Sequence, residues 1–323
     1  MRKWLIAAAG ILALGISGAS AQNFPTRSIT LMIPFAAGGP TDTVGRLVAE
    51  SMTKNLGQQV VVENAAGAGG TRAPGLVVKA TPDGYTILLH HIGMSTAPTL
   101  YRKLAYKPLE DFEFVGLVTD APMSLIARPG LEAKDLKGVL EYIAKTKEKT
   151  SYANAGIGSA SHLCGMLLQA AVKQQFNTIN FNGTGPAMTD ILGDRVDLMC
   201  DQTTNTTGQI KGGKVKAYGV TTKARVKSLP DLPTLDQAGL PGFEVAVWHG
   251  IYAPKGTPKE VVARLTQALQ AALKDPKVIQ AFAELGTEPV PQNQANGPAL
   301  QAKLKAEIDK WRPLIQAAGQ FAD

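Results

Sequence analysis

Apolar, strand-like segments alternate with helix-like segments along most of the chain. Residues 28–35 form an apolar run, and after a glycine-rich turn Val44, Val48 and Met52 recur at the spacing of one helix face. The same order of strand, turn and helix returns at 59–78, at 151–173 and from 178 onward. Such alternation predicts an α/β fold with mostly parallel sheets flanked by helices.

The remaining elements are predicted from the same patterns. Further strands are expected at 85–89, 114–119, 124–127, 196–200, 216–221 and 243–253, and further helices at 135–147, 259–273 and 298–317. Pro122 is expected to separate the strands on either side of it, because proline cannot donate to a strand ladder.

The N-terminus has the pattern of an export signal. Arg2 and Lys3 precede 13 uncharged, mostly apolar residues, and Ala19-Ser20-Ala21 is a small-x-small cleavage pattern. An uncleaved membrane anchor is the alternative, although a bilayer span needs about 20 apolar residues. We therefore expect residues 1–21 to be a signal peptide cleaved after Ala21, and the mature chain to be periplasmic.

Composition excludes some classes of protein. The 323 residues are 45% hydrophobic and 18% charged, which is typical of a globular protein with a substantial core. The formal net charge is +7, but no arginine-rich stripe is interleaved with aromatics, so nucleic acid is not an expected partner. The weak positive field suits a small anion, and ordinary surface lysines explain it equally well.

Three glycine-rich turns each lie between a predicted strand and a predicted helix. They are Gly38-Gly39-Pro40, Gly156-Ile-Gly158-Ser159 and Gly183-Thr184-Gly185-Pro186. Helix N-termini at strand ends present free N–H groups to anions, so these turns predict a carboxylate site. The alternative is that the glycines only satisfy turn geometry.

Sequence signatures of catalysis and of metal binding are missing. The chain has no P-loop, no H-E-x-x-H, no C-x-x-C and no G-x-S-x-G motif. We therefore predict no catalytic residues, no metal and no cofactor. Among the four histidines, His249 is unusual because it follows Trp248 in an apolar strand, where a buried imidazole needs a partner or a ligand.

The two cysteines, Cys164 and Cys200, are expected to form a disulfide. The chain is predicted to be exported into an oxidising compartment, and both residues lie near strand ends of the same predicted domain. Two buried free thiols are the alternative.

Several motifs in order resemble one family of binding proteins. They are IPFAAGGPTD at 33–42, NAAGAGG at 64–70, PDGYT at 82–86, NGTGPA at 182–187 and LPDLPT at 229–234. Together with the export signal, they resemble the periplasmic solute-binding proteins of tripartite tricarboxylate transporters, the Bug family, over essentially the whole mature chain.

The resemblance implies a two-lobed periplasmic binding protein fold with the ligand cleft between the lobes. It implies a first lobe of residues 22–122 and 245–323, a second lobe of 123–244, and crossing segments near 120–122 and 244–247. It also implies a monomeric, non-enzymatic protein that delivers a small organic acid to membrane transporter subunits. Among family members, the terephthalate-binding type is suggested; an aliphatic di- or tricarboxylate, a sensory partner of a membrane receptor and an exported enzyme are alternatives.

Both lobes are expected to contribute to the ligand site. The expected ligand-binding residues are Phe35, Ala37, Gly38, Gly39, Thr41, Asp42, His91, Gly158, Ser159, Ser161, Asn182, Thr184, Asp201, Trp248 and His249. Backbone donors on the glycine-rich turns would hold one carboxylate. Either His91 or His249 would bind a second carboxylate, with Phe35 or Trp248 as an apolar wall.

Overall fold

Strands and helices alternate in the computed structural model, which describes residues 24–319 and 321–322. The strands are β1 (Ile29–Ile33), β2 (Val60–Asn64), β3 (Thr86–His91), β4 (Phe112–Ala127), β5 (Ser151–Asn154), β6 (Asn177–Asn180), β7 (Leu198–Gln202), β8 (Lys216–Val220) and β9 (Ala246–Pro254). The predicted signal peptide lies outside the described residues.

Eight helices lie between the strands in chain order, and three more follow the last strand of the described residues. They are α1 (Pro40–Leu56), α2 (Arg72–Val77), α3 (Gly93–Leu100), α4 (Leu136–Thr146), α5 (Ala160–Val172), α6 (Thr184–Leu192), α7 (Thr203–Lys211), α8 (Leu235–Ala238), α9 (Lys259–Ala272), α10 (Pro276–Glu284) and α11 (Gly297–Ala318). Val44, Val48 and Met52 are buried on one face of α1, which confirms the predicted helical spacing. Of the helices in the described residues, none is long and apolar enough to cross a membrane.

The fold is a mixed α/β fold with two lobes. The strand order is β2-β1-β3-β9-β4-β7-β5-β6, with β8 also pairing with β4. The triplets β2-β1-β3 and β6-β5-β7 are parallel, whereas all pairs that involve β4 or β9 are antiparallel. We call the strands β1, β2, β3 and β9 with their helices the first lobe, and β5 to β8 with theirs the second lobe.

Strand β4 is continuous between the lobes, so the prediction that Pro122 separates two strands is wrong. Residues up to Pro122 pair with β9, and Met123 onward pair with β7 and β8. Pro122 therefore lies where the strand changes partners. The Met123 N–H donates to the side chain of Thr221 at that point.

A disulfide joins Cys164 to Cys200, which confirms that prediction and excludes the free thiols. The two Cα atoms are 6.1 Å apart, and the bond closes a sequence separation of 36 residues. It links the second turn of α5 to the middle of β7, within the second lobe. Both side chains are buried.

Candidate functional site

Four helices of the two lobes point their N-termini at one small cavity. It is lined by Phe35, Pro40, Thr41, His91, Ala155, Ser159, Ala160, Ser161, Thr184, Asp201 and Gln202. Thr41 belongs to α1, Ala160 to α5 and Thr184 to α6, while Gln202 precedes α7. We call this space the cleft cavity.

The helix ends give the cleft cavity a partial positive charge without a cation. The first N–H groups of a helix have no partner inside it, and its dipole favours an anion at that end. Ser159 begins α5 as its N-cap, where its hydroxyl accepts from the His162 N–H at 3.2 Å. The Ser161 hydroxyl accepts from the Ala155 N–H at 3.0 Å. No arginine or lysine of the described chain lines the cavity.

The loop before α1 does not contribute every residue that was expected. Ala37 and Gly38 are exposed, and the Gly38 N–H donates to Asp42 Oδ2 at 3.0 Å, so that donor is already occupied. Asp42 also accepts from Arg46 Nε and from Asn64 Nδ2, both at 2.9 Å. We conclude that Asp42 holds the loop in place. Gly38 and Asp42 are not among the residues that line the cavity, and their polar groups bind each other, so their contact with a ligand stays a prediction.

Hydrogen bonds explain the charge state of Asp42. Burial tends to raise the pKa of this carboxyl group, but the hydrogen bonds from Arg46, Gly38 and Asn64 outweigh burial and lower its pKa below the usual value. Asp42 therefore stays ionised at the start of α1, where the helix dipole also favours a negative charge.

His91 supplies a neutral donor to the cavity wall. The Gly93 N–H donates to His91 Nδ1 at 2.9 Å, which leaves the ring proton on Nε2. Burial, together with the neighbouring rings of His90 and His249, lowers the pKa of His91 well below 6.5. The ring stacks on Phe35 with centroids 4.8 Å apart, so the apolar wall expected from Phe35 is adjacent to this donor.

Trp248 and His249 are buried, but neither is among the residues that line the cavity. His249 pairs with His91 across β3 and β9, and its Nε2 lies 3.4 Å from the Thr41 hydroxyl. Burial lowers the pKa of His249 to about 3. His249 thus contacts two residues of the cavity wall, Thr41 through its side chain and His91 through strand pairing. The alternation of β9 is expected to place Trp248 on the opposite face of the sheet from His249, so its role as an apolar wall stays a prediction.

Asp201 is the acidic residue of the cavity. Asp201 lies near the end of β7, and only 1% of the residue is exposed. Its Oδ2 accepts a hydrogen bond from Asn205 Nδ2 at 2.6 Å. Burial raises its pKa to about 6, against the opposing hydrogen bonds from Asn205, Thr184 and the Gln202 backbone. The adjacent Gln202 Oε1 is buried and has no hydrogen-bond partner within the described chain.

The lobes contact each other around the cleft cavity. The Ala36 N–H donates to the Asn182 carbonyl at 3.0 Å, although the Asn182 residue as a whole is exposed. Gly39 approaches Gly185, and a Cβ on Gly39 would lie 3.5 Å from the Gly185 nitrogen. These contacts close the cavity at the loop that precedes α1. The turns at 36–39 and 182–185, which the sequence predicted to lie together around a ligand, are in direct contact between the lobes.

A second set of contacts closes the other side. The Tyr101 hydroxyl lies 2.7 Å from the Ile157 carbonyl oxygen and 2.8 Å from that of Ala68, so its single proton is shared between the two. Thr96 Oγ1 donates to the Gly158 carbonyl at 3.2 Å. Gly69 has φ +58°, and a Cβ there would lie 1.8 Å from the Ile157 oxygen, so only glycine fits. Gly158 therefore contributes its carbonyl to a lobe contact.

Four lining residues are not among the individual ligand-binding residues predicted from the sequence: Pro40, Ala155, Ala160 and Gln202. The first three lie inside or beside the glycine-rich turns, where the helix-start signals could have identified them. Gln202 directly follows the predicted residue Asp201, but helix α7, which begins after it, was not predicted. Within the described residues, no group of three or more His, Cys, Asp or Glu side chains is arranged to hold a metal ion.

Comparisons with known proteins agree with this geometry. The sequence profile of the tripartite tricarboxylate transporter family receptor matches residues 44–320. The periplasmic binding protein BugD is 54% identical, with a TM-score of 0.91 and coverage of 93% of this chain and 100% of its own. MatC from Rhodopseudomonas palustris, solved with bound malate, is 40% identical, with a TM-score of 0.88 and coverage of 90% and 100%. Another R. palustris protein, solved with adipate, is 30% identical, with a TM-score of 0.87 and coverage of 92% and 98%.

Proposed function

Because this chain belongs to the tripartite tricarboxylate transporter receptor family, we propose that it captures a small dicarboxylate in the periplasm and delivers it to the membrane subunits of a transporter. The family is one of substrate-binding receptors, not of enzymes. One observation carries the proposal: helix N-termini from both lobes meet at one cavity that no arginine or lysine of the described chain lines. Such a cavity binds an anion through backbone donors.

Solved relatives favour a short aliphatic diacid over an aromatic one. The relatives solved with malate and adipate bind aliphatic diacids. Terephthalate stays a second candidate, because Phe35 and His91 present stacked rings to the cavity.

Binding is proposed to work by closure of the lobes. We assign residues 22–122 and 245–323 to one lobe and 123–244 to the other, and the change of β4 partners after Pro122 supports this boundary. We further propose that the protein is exported with cleavage after Ala21 and acts as a monomer. The ligand would draw both lobes onto itself because each lobe supplies helix ends to the same cavity.

A thermal unfolding screen of ligand-stripped protein tests the proposal. The panel contains succinate, malate, adipate, citrate, terephthalate, benzoate and acetate. At about 100 times its dissociation constant, a ligand stabilises the folded protein by roughly 2.7 kcal/mol, so the Tm should rise clearly for short diacids and little for acetate and benzoate. The absence of a rise with every diacid would contradict the proposed function, and a rise for terephthalate alone would select the aromatic ligand.

A further inference from the structure

One charge in the cleft cavity is unexplained by carboxylate binding. Asp201 lines the cavity and is 1% exposed, yet the groups that donate to it, Asn205 Nδ2, the Thr184 hydroxyl and the Gln202 backbone N–H, are all neutral. No ion pair is formed by Asp201 with any residue that the structure describes. An aspartate beside a bound carboxylate repels it, and the low local dielectric makes that repulsion stronger.

A second acceptor lies next to this aspartate. Gln202 is 2% exposed and lines the same cavity, and its Oε1 finds no donor among the described residues. A buried acceptor without a donor is costly, so such an atom usually has a partner that arrives with a ligand. Asp201 and Gln202 are consecutive at the junction of β7 and α7, and both residues line the cavity.

The cavity is therefore polarised. The first turns of α1, α5 and α6 offer N–H donors, whereas the junction of β7 and α7 offers side-chain acceptors. A simple diacid satisfies the donors, but it leaves Gln202 Oε1 without a donor and Asp201 without a compensating donor from the ligand. A ligand that also carries a donor group satisfies both sides.

We propose that Asp201 and Gln202 form a subsite for a hydrogen-bond-donating substituent, a hydroxyl or ammonium group, on the carbon chain of the dicarboxylate. The proposal rests on the proposed function, since it concerns the ligand of the same cavity. Asp201 is then the residue that selects substituted over unsubstituted diacids, because it accepts from the substituent and repels a diacid that lacks one.

Calorimetric titration of ligand-stripped protein at pH 8 tests this with three ligands of the same chain length. Succinate has no donor, L-malate has a hydroxyl and L-aspartate has an ammonium group. We expect the substituted diacid to bind at least about tenfold more tightly than succinate, as hydrogen bonds to charged groups typically permit. Malate and aspartate distinguish the two donor groups.

The Asp201→Asn variant should lose the preference and should bind succinate more tightly than the unaltered protein does, because the repelling charge is removed. Asp197→Asn is the matched control, because Asp197 precedes the start of β7 and pairs with Arg128 at 2.9 Å, away from the cavity. The control should keep the ligand preference. A Gln202→Met variant, which removes the other acceptor with little change of shape, should weaken the preference and serves if Asp201→Asn does not fold.

The outcomes separate this proposal from the function itself. If the unaltered protein binds none of the three diacids, the proposed function fails and this subsite fails with it. If it binds succinate as tightly as malate and aspartate, the function stands and the subsite is overturned. Equal losses for all three ligands in Asp201→Asn would also overturn it.

Discussion

Removing the disulfide should weaken both the fold and the site. The bond ties α5, whose first turn lines the cleft cavity, to Cys200, which directly precedes Asp201. It therefore fixes the distance between the helix end and the acidic wall within the second lobe. The perturbation is the Cys164→Ala/Cys200→Ala double variant, compared with oxidised and reduced unaltered protein.

The magnitude follows from the length of the closed loop. For a separation of 36 residues, the loss of chain entropy in the unfolded state corresponds to about 4 kcal/mol of stability at 25 °C. The alanine variant should lose somewhat more than the reduced protein, because it also removes two buried sulfur atoms and leaves small cavities.

Urea unfolding followed by circular dichroism measures these free energies. We expect the reduced protein and the double variant to be destabilised by about 4 kcal/mol or slightly more, and ligand affinity to fall in both. A loss under about 1 kcal/mol, in protein whose bridge is verified by mass spectrometry, would refute the argument that this bond restrains the unfolded chain.

Two further changes test the lobe contact and the buried histidines. Tyr101→Phe removes the hydroxyl that donates to the Ile157 carbonyl across the cleft, and calorimetry should show ligand affinity weakened by about 0.5–1.5 kcal/mol, whereas unchanged affinity would show that the contact does not favour closure. Burial lowers the pKa of His90 to about 4 and of His249 to about 3, and that of His91 well below 6.5. The histidines of the unfolded chain therefore bind protons near pH 6.5, whereas the same histidines of the folded protein stay neutral. The free energy of unfolding should decrease as the pH falls from 6.5 towards 4, by about 1.4 kcal/mol per pH unit for each histidine. Urea unfolding at a series of pH values measures this slope, and a flat profile would contradict the buried neutral state.

Local patterns predicted the elements that position the site, and long-range pairing decided the rest. The spacing of Val44, Val48 and Met52 predicted α1 correctly, because its buried face is set by helix geometry. The prediction of two strands around Pro122 was wrong, because the local sequence does not show that one continuous strand, β4, changes its pairing partner there. Helix α7 was missed because four threonines favour extended structure by themselves, and packing in the second lobe overrides that preference.

The site was predicted at the level of turns more accurately than at the level of atoms. The glycine-rich turns before α1, α5 and α6 do meet at one cavity. The Gly38 N–H was predicted to donate to the ligand, whereas in the structure it donates to the Asp42 carboxylate. His91 and His249 are register partners, and only the side-chain directions reveal that His91 reaches the cavity.

The central claim is that backbone N–H groups at helix ends hold the carboxylate, and an Ala160→Pro variant tests it most directly. Ala160 is the first residue of α5, where proline is tolerated, and the preceding Ser159 has φ −67° and ψ 160°, which a residue before proline readily adopts. The substitution removes one N–H from the cavity while leaving the helix intact. Lys259→Pro, at the first position of α9, is the matched control away from the cavity. Calorimetric titration with the best diacid should show affinity reduced about tenfold or more in Ala160→Pro and unchanged in Lys259→Pro. Full affinity in a folded Ala160→Pro protein would contradict the account.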